Sequence, residues 1–286
     1  MDLLTVTGLS KAYETFHLND INFTLPSGYI MGFIGRNGAG KSTTIKAMLD
    51  MVHRDAGQVS VLGQDYFSNQ LKLKQIIGVT FGAVDYYEKS PLRRITSVVR
   101  RFYDTWDDAA YRGYLERFEL DERQAVDKLS AGMRVKYGLT LALSHQARLL
   151  ILDEPTSGLD PVSRDDLLDL FREVIEDGDR SILFSTQITS DLEKCADFIT
   201  YIRRGEIVAS CDKDDFIDSY RLVHGPTSAL SDGLVETLIG SKTTDLGFTG
   251  LIDAGSAHLA AGCELSVPSI EDIMVYVERQ PKGTKR

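Results

Sequence analysis

Over roughly the first 200 residues, short apolar runs alternate with segments of helical spacing. The runs that predict strands span 3–7, 16–25, 29–34, 58–62, 76–80, 149–152 and 181–184. The segments that predict helices span about 41–51, 131–144 and 162–176. Strands that alternate with helices favour a parallel sheet with both faces covered.

One internal segment breaks this alternation. Between about 93 and 127 the strand candidates vanish, and charged and aromatic residues alternate with apolar ones at helical spacing. Basic residues interleaved with aromatics also occur in segments that bind nucleic acid. The preferred interpretation is a small helical bundle whose aromatics pack inward and whose charges are solvated.

The last part of the chain has a different character. Residues 223–286 are richer in Gly, Ser and Thr, with short strand-like pieces and one helix predicted at about 270–278. We therefore expect a main domain at 1–222, which includes a helical subdomain at about 85–130, and a small α+β accessory domain at 223–286. Regulation, extension of a dimer and capping of the main domain all stay open as roles for this tail.

Composition narrows the classes of function. The chain has 286 residues, of which 43% are hydrophobic and 26% charged, as is ordinary for a globular protein. Its net charge of -10 argues against a general nucleic-acid binder. Three scattered cysteines favour neither a disulfide framework nor a zinc site. Neither a signal peptide nor an apolar run near the ~18 residues of a membrane span is predicted, so we expect any membrane role to need a partner.

The strongest local signal is the sequence GRNGAGKS at residues 35–42, which fits G-x-x-x-x-G-K-S/T at every fixed position. A predicted strand precedes it and a predicted helix follows, which disfavours the competing interpretation of an ordinary tight turn. We expect Lys41 to supply charge to the β- and γ-phosphates of a nucleotide, Ser42 to bind Mg²⁺, and Thr43 to add a phosphate contact. The residues expected to form the backbone nest for the phosphates are Gly35, Arg36, Asn37, Gly38, Ala39 and Gly40.

A second signal is the apolar run LLIL at 149–152, which ends in two acids. Acids at the carboxyl end of a buried parallel strand would face the same edge of the sheet as the phosphate loop. We expect Asp153 to hold Mg²⁺ and Glu154 to act as the general base that polarises the attacking water. Alone, an apolar run that ends in two acids would favour a solvated strand end. Because this run follows the phosphate loop in the chain, it indicates a nucleotide site instead.

Two further motifs carry a family resemblance. Residues 129–133, LSAGM, resemble the ABC signature LSGGQ, and residues 155–160, PTSGLD, match the D-loop of the same family. Over residues 1–209 the chain therefore resembles ABC ATPases, particularly bacterial ATP-binding subunits that pair with separate ABC-2-type permeases, including bacitracin-efflux-like and GntR-operon-encoded kinds. The implied fold is α/β: a P-loop NTPase domain with a mixed sheet core, antiparallel β and α-helical subdomains, and the small C-terminal α+β extension.

The resemblance implies a mechanism and partners. Two ATP-binding subunits, identical or different, would form a head-to-tail dimer that binds ATP and Mg²⁺ and hydrolyses ATP to ADP and phosphate. Ser130 and Gly132 would contact the γ-phosphate in trans, Tyr13 would stack on adenine, and Asp160 would shape the dimer contact. A groove beside Tyr86 and Tyr87 would receive a separate transmembrane permease at the cytoplasmic face of a bacterial plasma membrane. The expected cargo is an exported peptide, antibiotic or lipid-like substrate.

The chain departs from the family pattern at two positions. Gly82 stands where the family usually has a glutamine that meets Mg²⁺, and Asp85 is the nearest polar candidate. Gln187 stands at the position of the switch histidine, and an amide cannot carry that positive charge or relay a proton. Loss of such a group commonly slows turnover by roughly 10²- to 10³-fold. Slowed hydrolysis, natural drift in a working site, and a deliberate substitution that traps ATP are the three interpretations.

Two other classes of function stay open from the sequence. A soluble ABC protein that acts on DNA or ribosomes usually carries two ATPase modules or a long coiled coil, and this sequence shows neither. A nucleotide-gated clamp on a non-membrane partner, with little turnover, is favoured only by Gln187. Co-purification with a multi-span membrane protein would distinguish a transporter subunit from a soluble protein that acts on DNA or ribosomes. An ATPase assay would distinguish a transporter subunit from a clamp with little turnover.

Overall fold

The structure is a computed structural model that describes residues 1–81 and 87–280. The chain forms two compact units, the first ending at Ser210 and the second beginning at Cys211. Among the described residues, no helix combines the length and the apolar composition needed to cross a membrane.

The first unit is built around two sheets. Its strands are β1 (Asp2–Ala12), β2 (His17–Pro26), β3 (Ile30–Ile34), β4 (Ala56–Val61), β5 (Gln64–Asp65), β6 (Ile77–Phe81), β7 (Leu149–Asp153), β8 (Ser181–Thr186), β9 (Phe198–Arg203) and β10 (Glu206–Asp212). The central sheet has the order β10-β9-β3-β8-β7-β6, and β9, β3, β8, β7 and β6 run parallel. The carboxyl ends of these five strands therefore share one edge, where ligands bind in open α/β sheets.

The second sheet of this unit has the order β2-β1-β4-β5, with antiparallel pairing throughout. Its inward residues share one hydrophobic core with the central sheet and with the helix that follows β3. The two sheets and this helix all contribute to the core, with members that include Leu4, Phe23, Phe33, Ile45 and Ile151. The shared core fixes the loop after β3 against both sheets.

The helices of the first unit are α1 (Lys41–Met48), α2 (Gln70–Leu73), α3 (Leu92–Val99), α4 (Asp108–Arg117), α5 (Ala131–Ser144), α6 (Pro161–Ile175) and α7 (Thr189–Cys195). Short 3₁₀ turns span Lys74–Ile76, Arg100–Phe102 and Val126–Lys128. The helix predicted at 131–144 coincides with α5, and the α/β class and its parallel sheet are confirmed.

The segment predicted to be helical contains α3 and α4. Its inward-facing aromatics are confirmed at Tyr111, which is buried and whose hydroxyl lies 2.9 Å from Thr96 Oγ1. The same prediction was wrong for Phe102, which is 69% exposed. Phe102 ends the 3₁₀ turn that follows α3, where the helical spacing on which the prediction rested no longer applies.

The second unit is α+β, as predicted. Its elements are α8 (Lys213–Asp218), β11 (Tyr220–Gly225), α9 (Asp232–Thr237), β12 (Gly240–Thr244), β13 (Gly247–Asp253), β14 (Glu264–Ser266) and α10 (Ile270–Arg279), with 3₁₀ turns at Thr227–Ala229 and Ala254–Leu259. The antiparallel sheet has the order β12-β13-β11-β14 around a core that includes Val223, Phe248 and Ile252. The expected boundary at residue 222 falls within β11, which pairs with β13 and β14, whereas the two compact units meet between Ser210 and Cys211, within β10.

Candidate functional site

The loop between β3 and α1 has a backbone suited to an anion. Gly38 and Gly40 have φ of +79° and +119°, a region that residues with a Cβ rarely adopt. Gly40 is also the N-cap of α1 and has no side chain with which to accept hydrogen bonds from the first turn. A phosphate can take that role, since the N-terminus of a helix carries partial positive charge and free N–H donors.

Lys41, the first residue of α1, joins this loop to the acidic strand. Its side chain is 4% exposed. Its Nζ donates to the carbonyl of Gly35 at 2.7 Å and lies 3.3 Å from Glu154 Oε1. The two motifs that the sequence predicted separately therefore meet at one ammonium group.

Asp153 and Glu154 emerge at the carboxyl end of β7, as predicted, and Ser185 of β8 holds both. Asp153 pairs in register with Ser185 across the parallel strands. The Ser185 hydroxyl donates to Asp153 Oδ1 at 2.6 Å and accepts from the Glu154 backbone N–H at 2.9 Å. One buried hydroxyl thus orients the expected metal ligand and the backbone of the expected base.

Glu154 has an unusual backbone. Its φ is +52°, which is uncommon for a residue with a Cβ and stores about 1–3 kcal/mol of strain. The Glu154 N–H also donates to the carbonyl of Ser185 at 3.2 Å, so neighbouring strand β8 stabilises this conformation. The turn directs the chain away from β7 immediately after the acid, which leaves the carboxylate at the edge of the sheet.

The residues at this edge fit a magnesium ion bound together with a nucleotide. Ser42 lies in the first turn of α1, Asp153 lies at the end of β7, and α1 packs against β7. Hydroxyl and carboxylate oxygens are the donors that Mg²⁺ prefers, and it commonly takes one or two protein ligands with the rest from phosphate and water. Both side chains are half-buried, so a ligand can reach them.

The signature segment lies at the start of α5. Ser130 is the N-cap, and its Oγ accepts a hydrogen bond from the Met133 N–H at 3.2 Å. Ser130 is exposed, and Gly132 is half-buried in the first turn. A Cβ on Gly132 would lie 3.4 Å from Leu159 Cδ2, so the start of α5 packs closely on the segment that precedes α6.

Tyr13 lies beside the phosphate loop through a short turn after β1. Its N–H donates to the Phe16 carbonyl at 2.8 Å, and a Cβ on Gly40 would lie 3.0 Å from Phe16 Cζ. The Tyr13 ring is 41% exposed, with Lys11 Nζ 5.4 Å from its centroid. An exposed ring on a turn that packs against the loop is suited to stacking on a planar base.

Comparison with known proteins decides the family. The model of the family described as ABC transporter matches residues 18–157. The chain is 31% identical to the bacitracin transport ATP-binding protein BcrA of Bacillus licheniformis over 209 residues, which cover 72% of this chain and 68% of that protein. It is 32% identical to the linearmycin resistance ATP-binding protein LnrL of Bacillus subtilis, over 74% of this chain and 70% of that one. The chain is an ABC transporter ATP-binding protein.

Solved structures agree with this assignment. A structure described as the ATP-binding subunit of an ABC transporter is 29% identical, covers 74% of this chain and 91% of its own, and has a TM-score of 0.66. A nucleotide-free ATP-binding cassette at 19% identity and a TM-score of 0.65 shows the same fold. The protein is thus an ABC-type ATPase.

The two departures from the ABC pattern have different outcomes. Gln187 follows the last residue of β8 and is exposed, at the shared carboxyl edge of the sheet where the phosphate loop and Glu154 lie. Gly82 and Asp85 lie outside the described residues, as does Tyr86.

Asp160, expected to shape the dimer contact, is the N-cap of α6. Its side chain accepts hydrogen bonds from the backbone N–H groups of Val162 and Ser163.

Sequence reasoning missed Ser185 as a residue of this ABC site. The available signal was the serine that directly follows the apolar run ILF in the strand SILFST. Within the described residues, Ser185 is fully buried and hydrogen-bonded to both acids, which explains why a strand core holds a hydroxyl there.

Proposed function

We propose that this ABC ATPase binds MgATP, dimerises with a second ATP-binding subunit, and powers a separate transmembrane permease. The observation that carries the proposal is the 3.3 Å approach of Lys41 Nζ to Glu154 Oε1, since it brings a phosphate-binding cation beside the candidate base. The glycine-rich loop and the N-terminus of α1 would hold the phosphates.

The chemistry proposed for these residues is in-line attack of water on the γ-phosphate. Glu154 accepts the proton of the attacking water, and Ser42 and Asp153 would hold Mg²⁺, which neutralises charge on the phosphates when bound. Lys41 turns one of its three N–H donors from the carboxylate to the nucleotide. Ser185 keeps Asp153 and the Glu154 backbone in place while this exchange occurs.

The dimer proposal rests on the start of α5. Ser130 is exposed, and the N-terminus of α5 offers backbone N–H donors and partial positive charge. In a head-to-tail dimer, Ser130 and Gly132 would complete the site of the other subunit, and each would act only once ATP had brought the subunits together.

A permease is proposed as the partner because the first unit carries an apolar cleft of about 290 Å³ at α3. Within it, Val98 is 50% exposed and Tyr87 is 73% exposed. The residues that line it are Tyr87, Ser90, Arg94, Ile95, Val98 and Val99. An amphipathic helix of the permease, at the cytoplasmic face of a bacterial plasma membrane, fits such a groove.

The proposed cargo follows from the relatives. Their printed names describe bacitracin transport, lantibiotic transport and linearmycin resistance. By this similarity, the transporter would export a peptide, antibiotic or lipid-like substrate.

Binding of MgATP tests the core of the proposal. Full-length protein should bind a fluorescent ATP analogue, and Lys41→Ala should weaken that binding by at least about tenfold, because it removes a charge-assisted contact to phosphate. Co-expression with a multi-span membrane protein encoded beside this chain should yield a stable complex. Undiminished nucleotide affinity in Lys41→Ala would refute the assignment of the site.

A second candidate, a nucleotide-gated clamp with little turnover, is favoured by Gln187 alone. An amide there would leave developing charge on the γ-phosphate less compensated than an imidazolium would. We expect Gln187→His to raise steady-state phosphate release by about tenfold or more over the parent chain. Equal rates in the two proteins would show that Gln187 does not slow hydrolysis.

A further inference from the structure

A buried carboxylate, Asp191, lies where the D-loop, strand β8 and helix α7 meet. Its side chain is 1% exposed. Its Oδ2 accepts a hydrogen bond from Thr156 Oγ1 at 2.6 Å and a longer one from Thr186 Oγ1 at 3.5 Å. Thr156 belongs to the loop after Glu154, and Thr186 is the last residue of β8. One oxygen atom therefore joins the D-loop to the strand that ends beside Gln187.

Thr186 extends this link to the backbone on the far side of Gln187. Its Oγ1 accepts a hydrogen bond from the Ile188 N–H at 2.9 Å. The residues on either side of Gln187 are thus tied to each other, and through Thr186 to Asp191. These bonds fix the backbone on both sides of Gln187, from which its exposed side chain projects.

A carboxylate is costly to bury at this position. Burial raises the pKa of Asp191, although the Thr156 hydroxyl and the charge of Arg164 oppose that shift. Within the described residues, Oδ1 is buried and accepts no hydrogen bond. A buried charge with one oxygen unsatisfied commonly costs more than it contributes.

We propose that Asp191 is a positioning residue that couples the D-loop to the turn carrying Gln187. The inference rests on the proposed function, since it takes Gln187 to face the γ-phosphate of bound ATP. Thr156 lies four residues before Asp160, at the contact expected between subunits. A shift of the D-loop on dimerisation is then transmitted through Thr156, Asp191 and Thr186, and sets Gln187 and Glu154 in catalytic geometry together.

The test compares three single variants of the full-length chain. Asp191→Leu removes the acceptor and the buried charge, Asp191→Asn keeps one acceptor oxygen, and Thr156→Val removes one donor. We expect Asp191→Leu and Thr156→Val to lower kcat about tenfold and Asp191→Asn about threefold at most, with unchanged affinity for a fluorescent ADP analogue. The double variant Asp191→Leu with Thr156→Val should be no slower than Asp191→Leu, because both break one link. Single-turnover phosphate release supplies the rate constant if steady-state release is too slow.

Thr200→Val is the matched control. Thr200 is a fully buried threonine on β9 whose hydroxyl lies 2.9 Å from Ser210 Oγ, away from Asp191. It should keep wild-type kcat, and Asp191→Leu should keep a wild-type or higher Tm. The coupling would be overturned if Asp191→Leu kept wild-type kcat, or if its kcat fell only together with its Tm. It would also be overturned if the parent chain released no phosphate even in a single turnover. Failure of the parent chain to bind nucleotide would instead overturn the proposed function.

Discussion

Ser185 shows how one side chain can hold two neighbouring acids in place. Its hydroxyl donates to Asp153 and accepts from the Glu154 backbone, so it uses both of its hydrogen-bonding functions inside the strand core. The arrangement offsets the left-handed backbone of Glu154, which would otherwise relax. The geometry of the expected metal ligand and base therefore depends on a buried serine of the neighbouring strand.

Ser185→Ala should lower both activity and stability. Loss of the two hydrogen bonds should cost about 1–3 kcal/mol of the free energy of unfolding. We expect kcat for ATP to fall about tenfold or more while nucleotide affinity changes little, since the loop and Lys41 are untouched. Steady-state phosphate release and urea unfolding measure the two effects.

Ser181→Ala is its matched control on the same strand. Ser181 is also buried, donates to the Pro26 carbonyl at 2.9 Å and accepts from the Gly28 N–H at 2.9 Å, but at the opposite end of β8. It should lose comparable stability and keep kcat. Equal loss of kcat in both variants would mean that Ser185 acts only through the fold.

Single residues were predicted from the sequence where their partners lie close in the chain. The phosphate loop is one contiguous segment, so its spacing alone predicts roles for Lys41 and Ser42. The bonds of Ser185 to Asp153 and of Thr156 to Asp191 join residues 32 and 35 positions apart, which only the order of the strands brings together. Local spacing carries no information on such pairs.

At the scale of elements, helix α5 and strand β6 pack unusually closely. A Cβ on Gly78 of β6 would lie 2.6 Å from Ala142 Cβ, and one on Gly138 of α5 would lie 2.9 Å from Thr80 Cγ2. Both contacts are shorter than ordinary van der Waals separation. The helix that begins at the signature is therefore seated on the central sheet through two glycines.

Gly78→Ala should separate this helix from the sheet. The added methyl meets side chains of α5 and β7 that cannot move without disturbing the core, so we expect a loss of about 1–3 kcal/mol in the free energy of unfolding. Thermal unfolding followed by circular dichroism measures the change.

Gly113→Ala provides the comparison. Gly113 lies in α4, and a Cβ there would meet no atom within 4 Å. The same substitution should raise stability by up to about 1 kcal/mol, because alanine favours the helix. A Gly78→Ala protein as stable as the parent would contradict the close packing of α5 on β6.

Elements were predictable where their periodicity was strong. The strand predicted at 149–152 gained one residue and that at 181–184 gained two, since the polar ends of β7 and β8 still pair within the parallel sheet. The sequence reading named no strand for β9 or β10, although β9 pairs with β3 beside the phosphate loop. The pairing of β11 with β13 and β14 joins residues distant in sequence, so local composition could not place β11 with the second unit.

At the scale of the whole first unit, His145 links the helical segment to the sheet. It is 2% exposed, its ring stacks on Tyr103 with centroids 3.8 Å apart, and its Nδ1 lies 3.1 Å from the Gln75 carbonyl that precedes β6. Burial lowers the pKa of His145, because the charged imidazolium would lose its hydration. Protonation should therefore loosen a contact between parts of the unit.

His145 should make stability depend on pH in a defined direction. In the unfolded chain the imidazole titrates near about 6.5, and in the folded chain it takes up a proton only at lower pH. The stabilising contribution is complete above about pH 6.5 and is lost as pH falls below that value. Urea unfolding at about pH 8 and about pH 5.5 measures the free energy of unfolding at each pH. Between these two values it should fall more for the parent than for His145→Gln. The exposed control, His258→Gln, should behave like the parent.

In the proposed site, the Glu154 carboxylate competes with the phosphates of a nucleotide for the ammonium group of Lys41. The Glu154 carboxylate belongs to the same chain, so its effective concentration beside the Lys41 ammonium is high. An incoming phosphate must displace this carboxylate before it can form its own ion pair with Lys41. Glu154→Gln should therefore bind ADP, which cannot be hydrolysed, more tightly than the parent by roughly two- to tenfold. Identical ADP affinities, measured by calorimetry, would show that the carboxylate yields to phosphate without cost.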